Sequence, residues 1–112
     1  MAIRFLRQNE LPSDELSHEF VGERFGGVAA CVIFVEAPPG AGPRLHRHPY
    51  VELLMVIEGT ATFDDGSSRR ELGPGEMAVV DAYQPHAFTN AGTTTLRQID
   101  IHLSPRFETD WL

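Results

Sequence analysis

Lysine is absent from the 112 residues. Schiff-base chemistry through a lysine side chain is therefore excluded. The 9 basic residues are all arginine and face 16 acidic ones, for a formal net charge of −7. They are scattered, and the only pairs of note are Arg44 with Arg47 and Arg69 with Arg70. Phosphate contacts need a concentrated basic surface, so nucleic acid is not an expected partner. Cysteine is nearly absent too. Cys31 stands alone and has no internal partner for a disulfide. Its place in the apolar run 28–35 reads as a buried core thiol rather than a nucleophile. No apolar run reaches membrane-spanning length, and no charged-then-apolar leader opens the chain. The expectation is a protein of the reducing cytoplasm with no membrane partner. Low-complexity segments and long linkers are also missing. With 42% hydrophobic residues there is enough for a core, so one domain over 1–112 is expected.

What the chain does have is concentrated in residues 40–59. His46, His48 and Glu52 fall within seven residues there. Side chains alternate faces along an extended chain, so His46 and His48 point the same way. Glu52 keeps that parity, although Pro49 interrupts the strand between them. Two imidazoles and a carboxylate converging from one sheet face suit a divalent transition metal. A fourth candidate, His86, lies in a second Gly- and Pro-marked stretch. Its convergence with the others depends on the fold.

The pattern around these residues is β. Runs at 28–35, 44–48, 51–57, 60–63, 68–72, 77–80, 85–89 and 94–103 read as short strands. Asp64-Asp65-Gly66 and Gly73-Pro74-Gly75 mark turns. Residues 3–6 read as a further short strand, at a sheet edge or against a partner chain. Residues 9–18 are polar and carry Pro12; they read as a loop with a helical turn after Ser13, leaving His18 solvated. Short strands at regular spacing without a long helix predict an all-β antiparallel sandwich or barrel. The barrel core is placed at about 27–103, the N-terminal arm at 1–26 and a C-terminal tail at 104–112. Phe107 and Trp111 would dock that tail, on its own barrel or on a neighbour.

The first stretch resembles the first cupin motif without a gap: Gly40, His46, His48, Glu52 and Gly59 all fall in register. Gly75, His86 and Asn90 match the second motif, and Pro85 before His86 is also similar to small cupins. Two positions depart, with Asp81 where Pro is usual and Tyr83 where the second Gly is usual. If that Gly has positive φ, Tyr83 needs strain or a reshaped turn. Asp81 and Tyr83 are either structural substitutions or residues of the site mouth. The resemblance implies an antiparallel jelly-roll β-barrel with His46, His48, Glu52 and His86 around one metal. It also implies a homodimer, since small cupins commonly pair. The ion would be Fe, Mn, Ni, Zn, Co or Cu.

Several side chains carry two readings. Glu52 is a metal ligand, or a base that swings off the metal. Gln98, Asp100 and His102 share one face of the last strand. That face is either solvated or turned to the barrel interior, where His102 or Gln98 would orient a substrate or a ligand's second nitrogen. Tyr50, Phe63 and Phe88 are simple core, or the lining of an apolar pocket. Arg44 is a surface arginine, or meets an anionic substrate at the mouth. Glu52, Tyr50 and His102 are the catalytic candidates. The function expected is a metal-dependent enzyme acting on a small organic molecule. Its chemistry would be dioxygenase-type oxidation, or isomerase or cyclase chemistry at a Lewis acid. The alternative is a non-catalytic barrel that binds or senses a small ligand around a structural or vestigial metal site.

Overall fold

A computed structural model of the chain describes residues 2–112. Ten strands run in order: β1 (Ser17–Val21), β2 (Cys31–Ala37), β3 (His46–Arg47), β4 (Glu52–Glu58), β5 (Ala61–Asp64), β6 (Arg69–Leu72), β7 (Met77–Val80), β8 (Ala87–Asn90), β9 (Leu96–His102) and β10 (Asp110–Trp111). The only helical pieces among the described residues are 3-10 turns at Gln8–Glu10 and Gly22–Phe25. No helix of the described residues is long and apolar enough to cross a membrane. All pairings are antiparallel. They make a five-stranded sheet β1-β2-β9-β4-β7, a three-stranded sheet β6-β5-β8 and a two-stranded ribbon β10-β3. The architecture is the expected all-β jelly-roll barrel.

The core lies on the inner face of the large sheet and against the small one. Val35, Ala37, Leu54, Val56, Ala61, Leu72, Val80, Phe88 and Leu96 form one buried cluster. Burial of a side chain such as Leu54 stabilises the fold by about 1.5–3 kcal/mol. Beyond this cluster the inner face turns polar. The register places Cys31 opposite His102, Ile33 opposite Asp100 and Val35 opposite Gln98. On the other side of β9, Glu52 pairs with His102 and Leu54 with Asp100. Gln98, Asp100 and His102 therefore point inward and are buried, only 1 to 3% exposed. The solvated reading of this row is excluded. The opposite face of β9 carries Ile99 and Ile101. Cys31 is fully buried, as its surroundings in sequence require.

The N-terminal segment differs from expectation. Residues 3–6 form no strand, and Ile3 and Phe5 are 82% and 87% exposed. No free edge of the described residues pairs with them, so their backbone stays solvated. The helical turn forms at Gln8–Glu10 and not after Ser13. Asp14 Oδ1 accepts the N–H groups of Leu16 and Ser17, which turns the chain into β1 instead of into a helix. His18 is part of β1 and half-buried, not a solvated loop residue. The strand expected from residue 28 begins at Cys31, because Gly26 and Gly27 both have positive φ before it.

Two backbone features hold the ligand-bearing segments in place. A Cβ on Gly42 would lie 1.9 Å from the Phe88 carbonyl oxygen, so only glycine lets the 40–45 loop rest on β8. That contact sits beside the His46–His86 bridge, where each residue's N–H donates to the other's carbonyl at 3.0 and 2.8 Å. Tyr83 has φ 68, the one positive φ outside glycine among the described residues. The turn keeps its left-handed residue and the tyrosine bears the strain. The Tyr83 N–H donates to the His48 carbonyl at 2.7 Å, which fixes the turn against β3.

Candidate metal centre and cavity

The strand ends bring four side chains together. His46 comes from β3, His48 follows it, Glu52 opens β4 and His86 precedes β8. One donor atom from each lies within 4.8 Å of every other, and all four residues are buried.

Each imidazole is oriented from behind by a backbone carbonyl. His46 Nδ1 meets the Arg44 carbonyl at 2.7 Å, His48 Nδ1 that of Glu108 at 2.9 Å and His86 Nδ1 that of Gln84 at 2.9 Å. A carbonyl only accepts, so Nδ1 carries the proton in all three rings. Each Nε2 is turned toward the centre. The three rings then differ. His46 Nε2 meets no acceptor, and burial pushes this histidine down to about 4, which keeps it neutral. His48 Nε2 lies 3.2 Å from Glu52 Oε1 without hydrogen-bond geometry, and is a buried nitrogen with no partner. His86 Nε2 lies 2.9 Å from Glu52 Oε1 and donates to it when the ring carries both protons. Burial alone would lower His86. The hydrogen bonds to Glu52 and to the Gln84 carbonyl outweigh it and raise the group. Burial likewise pushes Glu52 up, but the imidazoles of His102, His48 and His86 set around its two oxygens win and hold it well below the usual carboxylate range.

This donor set fits a divalent transition ion. Neighbouring donors on an ion with bonds of about 2.1 Å at right angles lie about 3.0 Å apart. The Glu52 oxygen stands 2.9 and 3.2 Å from the His86 and His48 nitrogens. The unpaired His48 nitrogen is the atom such an ion would satisfy.

A fourth imidazole stands behind Glu52. His102 Nε2 is 3.0 Å from Glu52 Oε2, and its Nδ1 is 2.6 Å from the Tyr50 hydroxyl. The Glu108 N–H donates to that hydroxyl at 3.4 Å, so the Tyr50 O–H is free to donate to His102. Burial pushes the Tyr50 hydroxyl far up, which keeps its proton in place.

The centre opens on a cavity of about 390 Å³. Phe88, Leu54, Ile33 and Val35 give it an apolar wall. The C-terminal tail adds Phe107, Thr109 and Trp111. The tail thus docks on its own barrel: β10 pairs with β3, Arg47 and Asp110 form an ion pair at 2.8 Å, and the Trp111 ring sits 5.0 Å from His46. Arg44 stacks over Trp111 at 4.8 Å and is exposed.

The cavity gathers His46, His48, Glu52, His86 and His102 from the residues singled out in sequence, with Phe88 and Asp100. Tyr50 is not in the lining but supports His102 from behind, and Phe63 packs on Phe88 at 5.8 Å. Gln98 donates to Asp100 at 2.8 Å and does not line the cavity. Asp81 and Tyr83 are exposed and lie outside it. Sequence reading missed Asp14, Ser17 and Glu19 from the β1 region and Thr109 from the tail. Ser17 and Glu19 do alternate with His18 and Phe20, which was the available signal.

The cupin domain profile matches residues 33–102. A search of curated protein sequences found no match. Among solved structures, a conserved Klebsiella pneumoniae protein with a double-stranded beta-helix domain aligns over 96% of both chains, at 19% identity and TM-score 0.75. A mutant of Bacillus subtilis oxalate decarboxylase aligns over 96% of this chain but 31% of its own, at 23% identity and TM-score 0.80. An oxalate oxidase aligns over 75% of this chain and 46% of its own, at 22% identity and TM-score 0.65. These likenesses show the fold. This chain spans about a third to a half of the oxalate enzymes' length.

Proposed function

The chain belongs to the cupin domain family, and on that premise we propose that it is a metal-dependent enzyme acting on a small organic molecule held in the 390 Å³ cavity. His46, His48, Glu52 and His86 hold one divalent transition metal in this reading. The observation that carries it is the convergence of three carbonyl-oriented imidazoles and one ionised carboxylate, with the buried His48 nitrogen unpaired. An ion there supplies Lewis acidity and, if redox-active, a route to dioxygen chemistry. Oxidation and isomerase or cyclase chemistry both rest on the same four side chains.

Glu52 is held ionised, so it would serve as a ligand to the ion or as the base that takes a proton from substrate. His102 holds the Glu52 carboxylate in place by its contact with Oε2, and Tyr50 fixes the His102 ring. The Phe88, Leu54 and Ile33 wall excludes water from one side.

The test is metal content by mass spectrometry on protein purified without an affinity metal, beside His48→Ala. About one transition metal per chain, lost in the variant, is expected. Iron, manganese, nickel or copper directs assays to oxidation, and zinc to isomerase, lyase and cyclase reactions. No metal uptake from any of these ions would sink the reading and leave a ligand-binding barrel.

The functional unit proposed is a homodimer in a reducing cytoplasm. The outer face of the large sheet carries Leu53, Met55, Ile99 and Ile101, with Met77 and Val79 half or more exposed beside them. A contiguous apolar face of this kind is covered in most soluble proteins. The free buried Cys31 agrees with the compartment. Light scattering at micromolar concentration should give twice the 12.4 kDa chain mass, and the monomer mass refutes it.

A further inference from the structure

Beyond the metal-binding side chains, the polar lining of the cavity is one-sided. Asp14, Ser17 and Glu19 come from the β1 region, Asp100 from β9 and Thr109 from the tail. None of the lining residues is an arginine, and the chain has no lysine. Two arginines bear on the site from outside the lining: Arg44 lies over Trp111 and is exposed, and Arg24, whose charge acts on Glu19, is exposed as well.

Asp100 is the sharpest of these groups. It is 3% exposed, lines the cavity and takes one hydrogen bond in the chain, from Gln98 Nε2 to its Oδ1. Its second oxygen is left to the cavity. Gln98 Oε1 behind it has no partner at all. The strand register sets Glu19 opposite Ile33 and Ile33 opposite Asp100, so both carboxyls lie on one inner face with an apolar residue between them. Burial and the Glu52 charge push Asp100 up, and burial and Asp14 push Glu19 up.

Resting on the proposed metal-dependent reading, we infer that the substrate is two-ended. It offers oxygen donors to the histidine end of the cavity and a hydroxyl or protonated amine to Ser17, Glu19 and Asp100. A dicarboxylate long enough to span the cavity is disfavoured. One carboxylate can face the metal end, but a second would face Glu19 and Asp14 with no lining cation to meet it. Like charges set together in a binding site cost several kcal/mol.

The test is calorimetric titration of zinc-loaded protein with two matched sets of probes. The three-carbon set is malonate, 3-aminopropionate and 3-hydroxypropionate. The five-carbon set is glutarate, 5-aminovalerate and 5-hydroxyvalerate, so that reach alone does not decide the result. The amino or hydroxy acid should bind more than about tenfold tighter than the diacid in at least one set. Glu19→Gln should weaken the amino acid and spare the hydroxy acid, and Glu19→Arg should move the diacid to first place. Zinc content is measured in the same samples. Normal zinc loading with the diacid ranked first, with none of the six probes bound, or with a ranking unmoved in folded Glu19→Arg protein overturns this inference alone. Failure to take up zinc or any other transition ion overturns the proposed function, and this inference with it. The wild-type ranking stands as a test even if the arginine variant does not fold.

Discussion

Deleting residues 108–112 removes the Glu108 carbonyl, and with it the acceptor that holds His48 Nδ1–H at 2.9 Å. No other backbone carbonyl among the described residues takes its place; only the Tyr50 and Thr109 hydroxyls approach that nitrogen, each at 3.3 Å, and Thr109 goes with the deletion. The His48 ring is then free to turn or to exchange its proton between nitrogens. Loss of such a supporting contact costs about 10–100-fold in metal affinity. That equals about 1.4–2.7 kcal/mol. At a fixed excess of metal the same amount disappears from the metal-linked stabilisation. At about 4 °C per kcal/mol for a chain of this size, the metal-induced rise in Tm should shrink by about 6–11 °C. The quantity to measure is the difference between metal-loaded and metal-free Tm within each variant, so that any general cost of the deletion cancels. Trp111→Ala is the control. It strips the ring from beside His46 but leaves the Glu108 carbonyl, and it should keep most of the rise. A truncated chain that shows the full metal-induced rise would refute the orienting role of the tail.

Five further outcomes follow from the same structure. His46 resists protonation until about pH 4, whereas in the unfolded chain it protonates near 6.5. The unfolded chain therefore binds more protons in that window, and metal-free stability should fall as pH drops through it, by about 1–3 kcal/mol after solvent screening. His46→Gln should flatten that limb in urea titrations, and an unchanged limb refutes the assignment. His86 works in the other direction: its raised pKa gives stability that is full below about 6.5 and lost as pH rises through the folded value. Asp100→Asn should match the parent in urea at pH 4 and exceed it at pH 8, by about 1.4 kcal/mol per unit of displacement, because the buried acid no longer has to ionise. Tyr83→Gly should gain about 0.5–1 kcal/mol by relieving φ 68, and a loss larger than that would show that the side chain, 63% exposed, matters more than the torsion. Gly42→Ala should cost about 1–3 kcal/mol in chemical denaturation through collision with the Phe88 carbonyl, and a neutral result would put the loop elsewhere.

The parts of the chain legible in sequence are those where chemistry and pattern coincide. His46, His48 and Glu52 announce themselves by spacing, and β4 and β7 by their apolar runs. β9 is harder for a physical reason. The usual rule turns the apolar face of a strand inward. Here the inside holds a polar site, so Gln98, Asp100 and His102 are buried while Ile99 and Ile101 face outward. The same inversion hides β1, where Ser17 and Glu19 point in and Phe20 points out. β10 is two residues long and exists only because β3 offers it an edge, so no local periodicity could reveal it. Tyr83 was legible as a misfit, and the strain it implied is where the motif places it.

The pairing of β4 with β9 slips once, between Val56 and Glu58, with Ile57 as the extra residue. The slip falls at the far end of the ladder from the Glu52–His102 pair. This sets how the protein tolerates changes of length. One residue added or removed between Leu96 and His102 would reverse every side chain after it, sending Asp100 and His102 to the outer surface and Ile101 into the site. A residue added in the hairpin tip at Gly66 and Ser67 would reverse no strand, since it falls in the turn that Asp65 closes by accepting the Ser67 and Ser68 N–H groups. A library of single-codon insertions should divide the gene accordingly, with a permissive stretch around 66–67 and an intolerant one across β9, and the bulge at Ile57 marks a place in the ladder where an extra residue is already absorbed.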